Sequence, residues 1–383
     1  MDFTFTEEQQ AAAETAKAVF ADVAPDSVPS PALTPGAVAD DFDRPLWARL
    51  ADTDLLGLVL DPAHGGSGLD PIALCLVLRE SARALARVPL LETSAVARTL
   101  QHHAPEATRA ALLPRVTRGE LVLTAAAHGR TGHDPAPLAV TARRDHTGWT
   151  LDGHTGNVPW AHHADHIAVP AHTPDGHTVL ALLPRSRPGL TLTDQYGTHG
   201  ERLAALRLDD VRLDPADVID TEGAWEELHG LLTTGTCALA LGLGEQVLAM
   251  TSRYTGKREQ FGHPVATFQA VAVQAADRYI DLRAMEATLW QAAWRLTIDT
   301  TDTTGTAGSL PAAGDIAVAK IWASEGVRRV VQTAQHLHGG FGADTDYPLH
   351  RYHAWAKHLE LALGPAAQHE EELGDLLATH LLG

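Results

Sequence analysis

Hydrophobic and polar positions recur with two different periods along this chain, and the changes of period divide it into three parts. In residues 5–24, Phe5, Ala12, Ala16, Val19 and Phe20 fall at helical spacing. A Pro/Ser-rich loop fills 25–36. Helical patterns resume at 43–56, break at HGGSG (64–68), and run again through 71–88, 91–102 and 106–117. Past residue 120 the pattern turns to short, β-branched-rich segments bounded by Gly, Pro and Asp: LVLTAAAH, LAVTARRD, GWTLDG, HIAVPAHT, TVLALLPR, LTLTDQ and RLAALRLDDVRL. Helical patterns return over 224–256, 264–298, 312–338 and 350–380. Between the second and third of these, TIDTTDTTGTAGSLPAAG (297–314) is low in complexity and predicts a plain helix–helix connection. The expected organisation is therefore α+β: a helical unit at 1–118, a β-unit at 119–221 and a helical unit at 222–383.

Composition narrows the function classes. Hydrophobic residues make up 45% of the 383, enough for a large core. Lys and Arg number 29 against 48 Asp and Glu, a net charge of −19. That balance argues against nucleic acid and anionic membranes as partners, and it means that an anionic ligand must be met by local basic groups. Cys75 and Cys237 lie in apolar runs and read as buried thiols of a reducing compartment. The N-terminal stretch is acidic and amphipathic, without a basic and apolar leader. No apolar run stands out as long enough to cross a bilayer, so a cytoplasmic location is expected. WAHHADH brings His162, His163 and His166 together, but a His-rich surface is the expected reading and no metal site is predicted.

Chemistry concentrates in YTGKREQFGHPVATFQ (254–269) and QHLHGGFG (335–342). Arg258 offers a planar fork of donors suited to a phosphate or an adenine edge. Phe261 can stack on a ring, Gly262 admits close backbone approach, and Gln269 both donates and accepts. In the second segment Gly339, Gly340 and Gly342 leave a backbone with little side-chain bulk, of the kind that approaches a pyrophosphate.

Together these two segments resemble the acyl-CoA dehydrogenase family, and the α, β, α order extends the resemblance over nearly the whole chain. The resemblance implies an N-terminal α-helical domain, a central β-barrel and a C-terminal four-helix bundle. It implies FAD held at its adenosine and pyrophosphate by Arg258, Gln260, Phe261, Val265, Phe268, Gln269, His336, Gly339 and Gly340, across a dimer interface with the neighbouring subunit. It also implies α,β-dehydrogenation of an acyl-CoA or carrier-bound acyl thioester by a dimer or tetramer that passes electrons to an electron-transfer acceptor.

The chain departs from the family where the reaction itself should occur. The two positions for the catalytic carboxylate are Leu363, before Gly364, and Leu232, on the helix ahead of Arg258. A leucine accepts no proton. Glu360 is the substitute nearest the first position, and Glu245 lies between Leu232 and Arg258 and reads as a solvated helix residue. In place of the family's T-E-P-x-x-G-S-D loop stands AHGRTGHD (127–134), which keeps Gly132 and Asp134. Pro159 replaces the threonine near flavin N5, with Thr124, Thr131 and Trp160 as possible stand-ins. His336 holds a position usually occupied by Gln, with Gln335 one residue earlier. Arg351 is a candidate substrate contact, and Arg185 and Arg187 fit either CoA phosphates or a solvated turn. Three readings stay open: a dehydrogenase with an unseen base, a base-less partner in a heterotetramer with a sister subunit, or a different reaction on the same scaffold.

Overall fold

The computed structural model describes residues 4–31, 33–129, 135–298 and 311–380. By compactness these fall into two units: Met1–Thr15, Val38–Leu74 and Arg87–Leu232 form the first, and Ala16–Ala37, Cys75–Ala86 and Thr233–Gly383 the second. Helices α1 (Glu7–Phe20), α3 (Pro71–Arg83) and α6 (Ala224–Lys257) contribute residues to both.

In the first unit, α2 (Arg44–Asp52) starts where the Asp43 carboxylate accepts from the Leu46 amide at 2.9 Å and a proline occupies the first turn. Its Leu46, Trp47 and Leu50 are buried. Helix α4 (Leu90–His103) buries a broad face that includes Leu91, Val96 and Leu100, and α5 (Glu106–Thr117) follows it. The expected strands appear as β1 (Leu123–Ala125), β2 (Val140–Arg144), β3 (Trp149–Pro159), β4 (His166–His172), β5 (Thr178–Pro184), β6 (Leu190–Tyr196), β7 (Arg202–Leu213) and β8 (Val218–Ile219). They pair in the order β6-β7-β3-β2-β4-β5-β8, with β1 beside β4. Strand β4 runs parallel to β1 and β2, and the other ladders are antiparallel. Among the described residues no ladder joins β6 to β8, so in its hydrogen bonding the implied barrel is an open sheet. Register shifts at Leu151/Gly153 and Thr155/Val158 bend β3 against β7, and β3 runs well past the GWTLDG segment that announced it.

The second unit is helical. Helix α8 (Ala312–His338) packs against α7 (Gln269–Arg295), α9 (Leu349–Leu361) and α10 (Ala366–Thr379). At Gly326 a Cβ would stand 2.4 Å from Met285 Sδ, so a larger residue there would force the buried Met285 side chain between α8 and α7 to move. The expected single helix over 350–380 is two helices. Leu363 (φ 58°) and Gly364 (φ 99°) are both left-handed and Pro365 follows, which ends α9 and restarts the chain as α10. The expected helix over 264–298 begins as an α-helix only at Gln269: Pro264 lies in the hairpin strand and Val265–Thr267 form a single 3-10 turn. Most of the predicted 297–314 connection lies outside the described residues.

One expectation about membranes needs correction. Helix α6, at 34 residues, is long and apolar enough to cross a bilayer by length and composition. Its apolar window is 78% buried inside the protein, which marks it as a core helix. Cys75 and Cys237 are buried, as expected, and burial pushes the Cys237 thiol up to about 12.

Candidate functional site

The end of α6 and the start of α7 are joined by a tight hairpin. Glu259–Gln260 pairs antiparallel with His263–Pro264, and Phe261 and Gly262 form its two-residue turn with φ of 53° and 80°. Two left-handed central residues are the signature of a type I′ turn, where asparagine or aspartate usually precedes the glycine. A phenylalanine here is strained, and it is also 91% exposed. Among the described residues its one ring contact is with an aromatic neighbour, and a strained, exposed apolar ring of this kind suits a contact outside the chain. Phe268 lies edge-on to it at 6.4 Å. The Arg258 backbone is pinned, accepting from the Val265 amide at 2.7 Å and donating to Tyr254 at 2.8 Å, while its guanidinium is exposed and unpaired among the described residues. Gln260 and Gln269 are exposed on either side of the turn, and Val265 is half-buried in it.

The glycine-rich turn is held from below by a stack of rings. The Tyr254 ring stacks on His338 at 4.4 Å and on Phe341 at 5.2 Å, and Tyr347 packs against Phe341 at 4.6 Å. His338 Nδ1 lies 2.7 Å from the Ala334 carbonyl and must donate to it, so Nε2 accepts from the Tyr347 hydroxyl at 3.0 Å. Burial lowers the His338 pKa, which keeps the ring neutral in this arrangement. Above the stack, Gly339 (φ 59°, ψ −139°) and Gly340 are exposed, and a Cβ on either would meet nothing within 4 Å. Gln335 Nε2 donates to the Gly339 carbonyl at 3.1 Å and its amide fills the space beside Gly342, while His336 points outward and is exposed. The end of α6 and the glycine turn are thus brought together by contacts through Tyr254.

In the first unit, the segments matching the family's flavin-ring side are turned inward. The Thr124 hydroxyl donates to the Pro159 carbonyl at 2.6 Å, and Thr155 donates to the His128 carbonyl. Trp160 is buried with φ 56° and meets Phe42 edge-on at 6.3 Å. Thr131, Gly132 and Asp134 lie outside the described residues. Sequence reasoning missed Glu92 here. It sits in the first turn of α4 and accepts from Trp160, and burial pushes its carboxyl up to about 7. An acid in the first turn of a helix is common in surface helices, and no periodicity distinguishes this one.

The positions expected for a catalytic base carry none. Leu363 is strained at the bend, its carbonyl accepting from His369 Nε2 at 2.8 Å, and Leu232 is buried on α6. The Glu360 carboxylate pairs with Lys357 at 2.6 Å, and its carbonyl accepts from Lys320 Nζ at 3.2 Å and Ser324 Oγ at 3.0 Å. Glu245, expected to be solvated, is clamped by Arg79 Nε at 2.8 Å and Arg83 Nη2 at 2.7 Å. Burial alone would raise its pKa, but the two guanidiniums hold it below the usual value, the reverse of what a general base needs. Arg351 Nε donates to the Val28 carbonyl at 2.9 Å. Arg187 pairs with Asp217 and Arg185 donates to the His162 carbonyl, so both arginines have partners within the fold. His162 faces Asp194 and His163 faces Asp41, and no cluster suited to a metal ion occurs among the described residues.

The chain matches the family models described as "Acyl-CoA dehydrogenase, N-terminal domain" over residues 6–120 and "Acyl-CoA dehydrogenase, C-terminal domain" over 233–376. It is 35% identical to acyl-CoA dehydrogenase FadE27 of Mycobacterium tuberculosis over 339 residues, covering 88% of this chain and 89% of that one. Its fold superposes on the ChsE4-ChsE5 complex from Mycobacterium tuberculosis with a TM-score of 0.87 at 33% identity, covering 99% of both chains. It superposes on a variant of the Tcur3481-Tcur3483 steroid ACAD with a TM-score of 0.86 at 36% identity, covering 97% of this chain and 98% of that one. The chain belongs to the acyl-CoA dehydrogenase family, whose members are FAD-dependent oxidoreductases acting on CH–CH groups. The open cradle at Gly339 and Gly340, the free Arg258 fork and the exposed Phe261 fit the adenosine and pyrophosphate of FAD. On the ring side, hydroxyls committed to backbone carbonyls and a proline without an amide hydrogen offer a poorer fit.

Proposed function

We propose that this chain is one subunit of a heteromeric acyl-CoA dehydrogenase that removes hydrogen from the Cα–Cβ bond of a steroid-type acyl thioester. Its part is to hold the adenosine half of FAD through Arg258, Gln260, Phe261, Val265, Phe268, Gln269, His336, Gly339 and Gly340. Bound there, FAD would supply the acceptor for the β-hydride and a route for the electrons to an electron-transfer acceptor. The α-proton must pass to a carboxylate, and a sister subunit supplies it, because Leu363 and Leu232 cannot, Glu360 is paired with Lys357, and Glu245 is kept ionised by Arg79 and Arg83. The observation that carries this reading is the contrast between an exposed, strained Phe261 beside an open glycine turn and leucines at both base positions.

Two relatives support the finer parts: one solved structure is named a ChsE4-ChsE5 complex and another a steroid ACAD, each above 30% identity over nearly the full chain. A cytoplasmic location suits the two buried thiols. The test is co-expression with the neighbouring family member of the same genome, followed by anaerobic addition of a steroid side-chain CoA thioester. Bleaching of the flavin in the complex, and none with this chain alone, supports the assignment. Full bleaching by this chain as a homo-oligomer refutes the heteromeric part and points to a base on this chain.

A further inference from the structure

Charge pairing is unevenly distributed over this acidic protein. Most of its arginines meet a carboxylate within ion-pair distance, from Arg44 with Asp41 to Arg329 with Asp281, although the net charge of −19 makes cations scarce. At the end of α6 the pattern fails. Arg253, Lys257 and Arg258 are all exposed, lie within six residues of one another, and form no ion pair among the described residues. Glu259 follows them directly and among the described residues pairs with none of them; its carbonyl accepts from the Gln260 side-chain amide.

Their setting is fixed by Tyr254, which stacks on His338 and Phe341 and so brings this end of α6 against the glycine turn. Arg253 is near enough to Tyr347, which packs on Phe341, to act on it electrostatically. Cations in the last turn of a helix are favoured by the helix dipole, and that accounts for their sign. It does not account for three of them standing unpaired where carboxylates outnumber them, beside a backbone that a Cβ would not obstruct.

We propose that Arg253 and Lys257 join Arg258 in neutralising the pyrophosphate of the bound dinucleotide over Gly339–Gly340, making a three-cation seat for a diphosphate. The inference rests on the FAD reading given above and deepens it, because it assigns phosphate contacts to two residues outside the R-x-x-F-G motif. A diphosphate diester carries two negative charges, so a single arginine leaves one uncompensated in this electronegative protein.

The test uses the assembled, deflavinated oligomer titrated with FAD and with ADP at several salt concentrations. Arg253→Gln combined with Lys257→Gln should weaken both ligands by about 10–100-fold at low salt, as expected for lost charge-assisted bonds. It should also flatten the salt dependence of binding, with unchanged thermal stability because both side chains are exposed. Unchanged affinity and salt slope in the double variant, while Arg258→Ala loses FAD, overturn this proposal and leave the FAD reading intact. Failure of the unaltered oligomer to bind either ligand overturns both.

Discussion

Substitution of Gly340 separates binding from folding, because the free chain gives this glycine no structural duty. Gly340 lies in a short 3-10 segment, Gly339–Ala343, outside the left-handed region, and a Cβ there meets nothing within 4 Å. Gly340→Val should therefore change stability by no more than about 0.5 kcal/mol, as for an exposed site without special contacts. If the pyrophosphate of FAD crosses this turn, the two methyl groups occupy its path and hold its oxygens away from the backbone amides. Losing one charge-assisted hydrogen bond costs about 1.5–3 kcal/mol, or roughly 10–150-fold in affinity. Gly339 supplies the control. Its φ of 59° and ψ of −139° belong to glycine alone, so Gly339→Ala should lower stability by about 1–3 kcal/mol before any ligand is considered. The assay is urea denaturation of each variant beside FAD titration, followed by flavin fluorescence, of the variant assembled with its sister chain and deflavinated. A Gly340→Val protein that binds FAD as tightly as the unaltered one refutes the placement of the cofactor, and one that unfolds refutes the claim that this position is structurally free.

Other outcomes follow from the buried charges. Glu245→Gln leaves Arg79 and Arg83 without their shared carboxylate and should cost about 3–5 kcal/mol in urea denaturation; a neutral effect would show that the clamp is not structural. Hydrogen bonds from His102 and His103 and the charge of Arg98 outweigh burial to hold Glu227 at about 2, below its ordinary 4.5, so its contribution is complete above pH 4.5 and lost as pH falls through 2. Glu227→Gln should accordingly cost about 3 kcal/mol at neutral pH, with a gap that closes on acidification; a gap independent of pH contradicts the assignment. Glu92 has the opposite sign. With its carboxyl raised from 4.5 to about 7, its contribution is complete below pH 4.5 and lost as pH rises through 7. Glu92→Gln should leave stability unchanged in acid and raise it by about 2–3 kcal/mol above pH 8, and equal melting points at both pH values would dismiss its burial as the cause.

The legible parts of this protein are those whose residues are neighbours in sequence. The two segments proposed to hold the nucleotide could be located because Arg258, Phe261 and Gln269 sit within one hairpin and helix start, and Gly339 and Gly340 within one turn. The strands were legible from β-branched runs punctuated by Gly, Pro and Asp, although the bulges that extend β3 to Pro159 leave no such mark. What the sequence hid depends on distant partners or on rare backbone states. Glu245 looked solvated because Arg79 and Arg83 reach it from more than 160 residues away. The bend at Leu363 was invisible because leucine seldom adopts a left-handed conformation, so 350–380 read as one helix. The bond from Arg351 to the Val28 carbonyl was likewise hidden, because its partner lies more than 300 residues earlier. The strain at Phe261 emerges only once Gln260 and His263 are seen to pair across a two-residue turn.

The most direct test of the central claim, that this chain holds the adenosine half of a flavin site completed by a different subunit, is the flavin content of the protein purified alone and after co-expression with its sister chain. The account predicts little or no visible flavin absorbance from the chain alone and a yellow, stoichiometric flavoprotein from the pair. A fully flavinylated homo-oligomer that is bleached by an acyl thioester, or a pair that remains colourless with added FAD, would contradict it.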